Sequence, residues 1–236
     1  MNAELRSGEL PISHGDKRSH IVSFSGIDGS GKSTQIEALC ACLRAEGLSV
    51  AHVRFWDDVA RLTSMREGVG HRVFRGDKGV GSPGAPIVRR DKNVQNSGMT
   101  YIRLFLYTLD AIALRRAVRS ARKAEQDVTI FDRYCYDEFA NLKLSNRMLR
   151  WYIQAMMKLI PKPDISYLLD VEPAKAFARK PEYPLEFLHA NREAYLELTT
   201  LIGGFTVIPA MTVQGVAQAI SLHAQEVLSL RGAGMQ

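Results

Sequence analysis

The sequence predicts an α/β protein with three layers, in which a parallel sheet of five strands lies between two layers of helices. Short apolar runs alternate with helical patterns along the chain, the order that produces parallel strands joined by crossover helices. The runs are almost continuously apolar, as in a sheet covered on both faces. The first run ends in a glycine-rich turn that leads directly into a helix.

Each predicted element depends on its own local pattern. An apolar, β-branched run stops at Gly26, and the helix after it carries Ile36, Leu39 and Leu43 on one face before Gly47 ends it. The predicted strands are residues 21–24, 48–53, 128–131, 165–169 and 205–208. The predicted helices are residues 33–46, 101–123, 146–159, 185–201 and 213–230.

The 236 residues are interpreted as a single domain, residues 20–236, preceded by a flexible N-terminal tail. Residues 1–19 are polar and contain Pro11 and Gly15, so they lack the apolar core of a signal peptide. Residues 67–98 are rich in Gly, Arg, Lys and Asp and predict a long basic loop. No segment has an uninterrupted apolar run long enough to span a bilayer, so we expect no membrane association.

Composition and charge narrow the class of protein. With 46% hydrophobic and 24% charged residues, the chain has neither a disordered nor a membrane-protein composition. Its net charge of +6 favours an anionic partner. Nucleic-acid binding is not favoured, because the basic loop has Phe74 as its only aromatic residue. Cys40, Cys42 and Cys135 lack metal-binding spacing and are interpreted as reduced thiols of a cytoplasmic protein.

A phosphate-binding motif, GxxxxGK[ST], follows the first strand from Gly26 to Ser33. Its glycines let backbone N–H groups approach a phosphate, and the next helix adds the positive end of its dipole. Lys32 is suited to the β- and γ-phosphates of ATP, and the Ser33 hydroxyl to Mg²⁺. The predicted ATP-binding residues are Gly26, Gly29, Ser30, Gly31, Lys32, Ser33 and Thr34. The predicted fold is therefore that of a P-loop NTPase.

An aspartate and an arginine follow the third apolar run. Asp132 should emerge at the carboxyl edge of the sheet, where ligands of open α/β folds bind. A carboxylate there can hold the water shell of Mg²⁺ or accept a proton from the phosphoryl acceptor. Arg133 offers a planar fork that matches phosphate oxygens. We therefore predict Ser33 and Asp132 at the metal, with Lys32, Asp132 and Arg133 among the catalytic residues.

The order and spacing of three motifs resemble the thymidylate kinase family. The motifs are Gly26 to Gln35, Asp132-Arg133-Tyr134, and Lys162-Pro163-Asp164 leading into the segment from Leu168 to Pro173. This resemblance implies ATP and Mg²⁺ as the donor pair and a nucleoside monophosphate as acceptor, with conversion of dTMP to dTDP the expected reaction. Because the family often dimerises, it also implies a possible homodimer.

Carried over by position, the resemblance assigns residues to the acceptor side. Arg133 would grip the acceptor phosphate, Asp132 would act through the magnesium shell, and Asp28 would approach the acceptor sugar or phosphate. Arg54, just after the second strand, would be another arginine for the acceptor phosphate. Phe105 would stack on the acceptor base.

The resemblance also implies a lid over the donor, at about residues 171–184. The variable positions of the phosphate-binding motif hold no arginine, so the cation for the transition state should come from this lid. Arg179 is the predicted residue, because a cation near the γ-phosphate offsets the charge that develops during transfer.

Some positions depart from the family pattern on the acceptor side. Ala111 stands where an arginine is usual, Asp137 where Ser or Thr is common, and Asn141-Leu142 where Tyr-Gln is common. An unpaired carboxylate at Asp137 would repel an acceptor dianion, so we expect it to lie off the phosphate or to contact hydroxyl or amino groups. Two alternatives stay open: a P-loop kinase for a nucleoside or another phosphate or alcohol, and a non-catalytic nucleotide-binding regulator.

Overall fold

A five-stranded parallel sheet runs through the centre of the computed structural model, which describes residues 18–59 and 97–233. The strand order is β2-β3-β1-β4-β5. The strands are β1 (His20–Ser25), β2 (Val50–Arg54), β3 (Val128–Asp132), β4 (Ile165–Leu169) and β5 (Phe205–Ile208). β1 therefore lies between β3 and β4, so the turns that follow these three strands meet at one edge of the sheet.

The described helices lie on both faces of the sheet, giving the predicted three-layer architecture. They are α1 (Lys32–Ala45), α2 (Ser97–Arg122), α3 (Cys135–Phe139), α4 (Arg147–Leu159), α5 (Pro173–Arg179), α6 (Leu185–Ile202) and α7 (Val213–Ala233). A single π-helical turn, Phe55–Val59, follows β2. The predicted fold class is confirmed.

Two apolar cores form because successive strand residues point to opposite faces of the sheet. Ile21 and Phe131 contribute to the core under α2, α3, α4 and α6, whereas Val22 and Ile130 contribute to the core under α1 and α7. All four side chains are fully buried. Burial on both faces explains why the strands are nearly continuous apolar runs.

The predicted strands and long helices agree with the structure to within a few residues, but three short elements were missed. These are the π-helical turn, α3 and α5, which are too short for a periodic signal. α5 falls inside the predicted lid and begins with a proline at its first position. α2 begins at Ser97 rather than at residue 101.

The predicted tail and basic loop lie almost wholly outside the described residues. At the end of the tail, Ser19 is buried and its Oγ lies 3.1 Å from Thr129 Oγ1, so the packed chain begins before residue 20. The last two residues of the predicted loop belong to α2. All three cysteines are free thiols. Within the described part of the chain, no helix is both long and apolar enough to cross a bilayer.

Candidate active site

The turn between β1 and α1 forms an open cradle of backbone amides. Gly31 has φ +92° at the N-cap of α1, and a Cβ there would meet nothing within 4 Å, so the conformation rather than lack of space requires glycine. At Gly29 a Cβ would collide with the backbone carbonyl of Ala176 in α5. The cradle is thus open at Gly31 and closed by α5 at Gly29.

One hydroxyl in this cradle fits an anionic ligand. Ser30 is 7% exposed, and its Oγ is buried without a hydrogen-bond partner among the described residues. Buried hydroxyls are normally hydrogen-bonded, and an orphan donor costs free energy. A phosphate bound in the cradle would accept a hydrogen bond from the Ser30 hydroxyl. The neighbouring Ser33 and Thr34 are exposed at the start of α1.

Lys32 points back into the cradle. Its Nζ donates to the carbonyl oxygens of Gly26 at 2.7 Å and Ile27 at 3.0 Å. Burial, aided by the positive charge of Arg133, lowers the pKa of Lys32 to about 8. The ammonium is therefore costly to bury and would gain from an anionic partner.

Arg133 is held by carboxylates on two sides. Its Nη2 lies 2.5 Å from Asp28 Oδ1 in the cradle, and its Nη1 lies 3.4 Å from Asp137 Oδ1 in α3. Burial alone would lower the pKa of Arg133, but Asp137 and Asp28 together raise it above its usual value. Its φ of +73° is unusual for a non-glycine residue, and its N–H donates to Phe24 O at 3.0 Å. The turn after β3 thus places the charged guanidinium of Arg133 between β3 and the cradle.

Asp132 and Arg54 lie side by side at the carboxyl edge of the sheet. They are paired in the register of β2 and β3, and Asp132 is also paired with Phe24 of β1. The Asp132 carboxylate is half-buried and accepts no hydrogen bond from residues 18–59 or 97–233. It is therefore available as an oxygen ligand, as is the exposed Ser33 hydroxyl.

Arg179, the last residue of α5, reaches the cradle from the lid. Its Nη1 donates to Gly29 O at 3.5 Å. The same side chain lines a cavity with Ser30, Thr34, Met211, Val213 and Val216, between the cradle and the chain that follows β5. The predicted lid arginine thus lies beside the predicted donor site.

Comparison with known proteins identifies relatives over most of the chain. No family model matches. The chain is 25% identical over 201 residues to a probable thymidylate kinase of Methanosphaera stadtmanae, covering 84% of this chain and 92% of that protein. It is 25% identical over 224 residues to a probable thymidylate kinase of Pyrococcus abyssi (90% and 100%), and 28% over 165 residues to a thymidylate kinase of Chlorobium luteolum (68% and 66%).

These relatives, at 25–28% identity over most of the chain, support its assignment as a divergent member of the thymidylate kinase family. It is accordingly classed as a phosphotransferase, among the nucleoside monophosphate kinases. The resemblance drawn from the three motifs is confirmed.

The departure from the family pattern at Asp137 is accommodated by pairing. Asp137 is 3% exposed, and its carboxylate accepts hydrogen bonds from Ser25 Oγ and Tyr195 OH, both at 2.8 Å. It also faces the Arg133 guanidinium. The hydroxyl contacts agree with the expectation from the sequence, whereas the pairing with the guanidinium was not predicted. Asn141 Nδ2 donates to the backbone carbonyl of Asp137 at 2.8 Å, and Leu142 is buried.

The burial pattern of α2 shows which of its side chains face the core and which face outward. Ala111, Leu114 and Val118 are buried at helical spacing, and Tyr107, one turn before Ala111, packs against the larger core. Phe105 is 64% exposed and lies on the other face of α2. The stacking role of Phe105 stays a prediction, and Tyr107 is the aromatic residue on the inward face.

The sequence did not predict a role for three residues around the cradle: Asp170, Arg192 and Tyr195. The guanidinium of Arg192 donates to both carboxylate oxygens of Asp170, at 2.6 and 2.7 Å, and so ties α6 to the end of β4. Tyr195, one turn further along α6, is buried and reaches Asp137. Asp170 shares with Asp132 a position at the end of an apolar strand, and this signal could have indicated it. Nothing local marks Arg192 or Tyr195.

Proposed function

We propose that this protein transfers the γ-phosphoryl group of ATP to a nucleoside monophosphate, with dTMP as the acceptor, in the presence of Mg²⁺. The observation that carries the proposal is the position of Arg133. Its guanidinium bridges Asp28 in the phosphate cradle and Asp137 beyond β3, so it lies between the predicted donor and acceptor sides. A forked cation there can hold an acceptor phosphate in line with the donor.

The donor side would use the cradle and the first turn of α1. The backbone amides, the orphan Ser30 hydroxyl and the Lys32 ammonium are three kinds of donor suited to the phosphates of ATP. Lys32 now donates to two carbonyls, and these contacts would be exchanged for phosphate oxygens on binding. Because its pKa is about 8, Lys32 is mainly charged at neutral pH, as this role requires.

Ser33 and Asp132 would hold the magnesium ion. Both present oxygen ligands, and the Asp132 carboxylate receives no hydrogen bond from the described residues. Magnesium bound there would neutralise charge on the phosphate oxygens during transfer. Asp132 would also orient the acceptor through the metal's water shell.

Arg179 would supply positive charge as the phosphoryl group moves. Its contact with the Gly29 carbonyl keeps the side chain at the cradle, and its position at the end of a short helix lets it turn towards the γ-phosphate. A cation in this place is worth roughly 10³-fold or more in rate. Arg54, at the end of β2 beside Asp132, would help bind the acceptor phosphate.

A different acceptor is the second candidate, and the inward face of α2 favours it. That face presents the buried, uncharged Ala111 where an arginine is usual in the family.

The residue that stacks on the acceptor base is tested by alanine substitution. An unchanged acceptor KM in Phe105→Ala would mean that Phe105 does not stack on the base. An unchanged acceptor KM in Tyr107→Ala as well would mean that neither aromatic residue does so.

The proposal is tested by a coupled ADP-release assay with ATP and Mg²⁺ against a panel of nucleoside monophosphates and nucleosides. Lys32→Ala is the control for contaminating kinases. The highest kcat/KM with dTMP would support the proposal. Turnover confined to another acceptor would support the second candidate, and ATP binding without turnover on any acceptor would indicate a non-catalytic regulator. The homodimer stays a prediction, which sedimentation velocity tests.

A further inference from the structure

Asp137 is a buried carboxylate with an unusually complete set of donors. Oδ2 accepts from Ser25 Oγ at 2.8 Å and from the N–H of Tyr134 at 3.3 Å. Oδ1 accepts from Tyr195 OH at 2.8 Å and faces Arg133 Nη1 at 3.4 Å. A buried charge is costly unless it is paired and hydrogen-bonded, and here both oxygens are satisfied.

These donors come from three separate parts of the fold. Ser25 ends β1, Tyr134 precedes α3, and Tyr195 lies in the middle of α6. Each is buried, so the carboxylate cannot turn without breaking contacts with a rigid element. Asp137 is therefore a fixed point of negative charge directly behind the β3 turn.

The two carboxylates hold Arg133 from different directions. The Asp137 side chain is 2% exposed and approaches from the interior, whereas the Asp28 side chain is 17% exposed and approaches from the cradle. Each engages a different terminal nitrogen of the guanidinium, so the plane of the fork is set by two contacts. Guanidinium has five N–H donors, and those not used by Asp28 and Asp137 make no hydrogen bond to a side chain of residues 18–59 and 97–233, so they can serve a ligand.

We infer that Asp137 is a positioning residue, which orients the Arg133 fork towards the acceptor phosphate and is itself held by Tyr195 and Ser25. The inference rests on the proposed function. Without the interior contact, the Arg133 guanidinium would be held by Asp28 alone and would rotate about that one contact, so its remaining N–H donors would lose their fixed direction. The hydroxyl donors disperse the carboxylate charge, so Asp137 orients the arginine without competing fully with the incoming phosphate.

The test is the Asp137→Asn variant, which keeps the size of the side chain and removes its charge. Acceptor KM is expected to rise about tenfold or more, the loss typical of one charge-assisted hydrogen bond. The KM for ATP should change by less than about threefold, because Asp137 makes no hydrogen bond to Lys32 or to the cradle amides. Glu125→Gln is the matched control, since it removes one exposed carboxylate preceding β3, at the opposite edge of the sheet.

A second variant, Tyr195→Phe, removes a single hydroxyl and serves if Asp137→Asn does not fold. It should raise acceptor KM in the same direction but less, by about threefold, because Asp137 keeps its other donors. Thermal unfolding of each variant is measured alongside. A merely structural role would lower the melting temperature and leave the acceptor KM unchanged.

The experimental outcomes distinguish a wrong role for Asp137 from a wrong proposed function. If the parent protein turns over no nucleoside monophosphate, the proposed function fails and the inference with it. If the parent is active and both variants retain its acceptor KM, the inference alone is overturned. A lower acceptor KM in Asp137→Asn would also overturn it, because Asp137 would then compete with the phosphate rather than orient Arg133.

Discussion

Replacing Gly29 with alanine tests whether α5 rests directly on the cradle. Gly29 has φ +82°, and a Cβ there would collide with the backbone carbonyl of Ala176 in α5. Two penalties are therefore expected. The left-handed conformation costs a residue other than glycine roughly 1–2 kcal/mol, and the collision adds about 1–3 kcal/mol as overpacking, unless α5 moves away.

Gly47 is the matched control, because it shares the conformation without the collision. Its φ is +84°, and a Cβ there would meet nothing within 4 Å. Gly47→Ala should lower the free energy of unfolding by roughly 1–2 kcal/mol and leave kinetics unchanged. Urea unfolding of both variants isolates the collision as the difference between the two losses.

The kinetic consequence follows from the contact between Arg179 and Gly29. If α5 is displaced, Arg179 loses its 3.5 Å approach to the Gly29 carbonyl. We then expect kcat to fall by at least about tenfold, since a cation poised over the transferring group contributes much of the rate. Equal stability losses in Gly29→Ala and Gly47→Ala, with kcat unchanged, would refute the packing of α5 on the cradle.

Three further predictions concern charged side chains. Lys32→Met should abolish turnover. At pH 7 it removes a buried charge whose pKa falls from 10.5 to about 8, which favours the folded variant by up to roughly 3 kcal/mol, while loss of the hydrogen bonds to the Gly26 and Ile27 carbonyls offsets about 1–3 kcal/mol. Between pH 8 and 10.5 the folded parent binds fewer protons than its unfolded chain, so the parent should gain stability relative to the variant as the pH rises; chemical unfolding at several pH values measures this. Arg133→Lys keeps the charge but loses the fork, and steady-state kinetics should show acceptor kcat/KM lower by at least about tenfold, with the KM for ATP unchanged. Arg192→Ala should lower the free energy of unfolding in urea by roughly 1–3 kcal/mol. Arg150→Ala, which breaks an exposed ion pair, should lower it by less than about 1 kcal/mol. Equal losses would contradict the role of the Arg192–Asp170 pair in joining α6 to β4.

Local patterns were enough to predict the sheet and the cradle. An apolar run ending in a glycine motif specifies a strand, a turn and a helix within one stretch of chain, and these are β1, the Gly26–Ser33 turn and α1. The edge position of Asp132 followed from the parallel order of strands, since every such strand ends at the same side. Neither prediction required knowledge of a distant contact.

The short helix α5 and the orientation of α2 were harder to predict. α5 has only seven residues, too few for helical periodicity to stand out. For α2 the sequence predicted the helix but not its rotation about its own axis, because apolar side chains occur on both faces. That rotation separates Phe105 from Tyr107, and packing against the rest of the core decides it.

Neighbours within a few positions are enough to specify the architecture, the glycine-rich turn and the residue types at the carboxyl edge of the sheet. The pairing of the charges depends instead on contacts between distant parts of the chain. Asp137 meets Tyr195 across 58 positions and Arg133 meets Asp28 across 105. Such contacts arise when α6 and the cradle pack around β3, and no spacing in the sequence encodes them. A charge that is buried during folding needs a partner, and the packing of the elements decides which partner lies within reach.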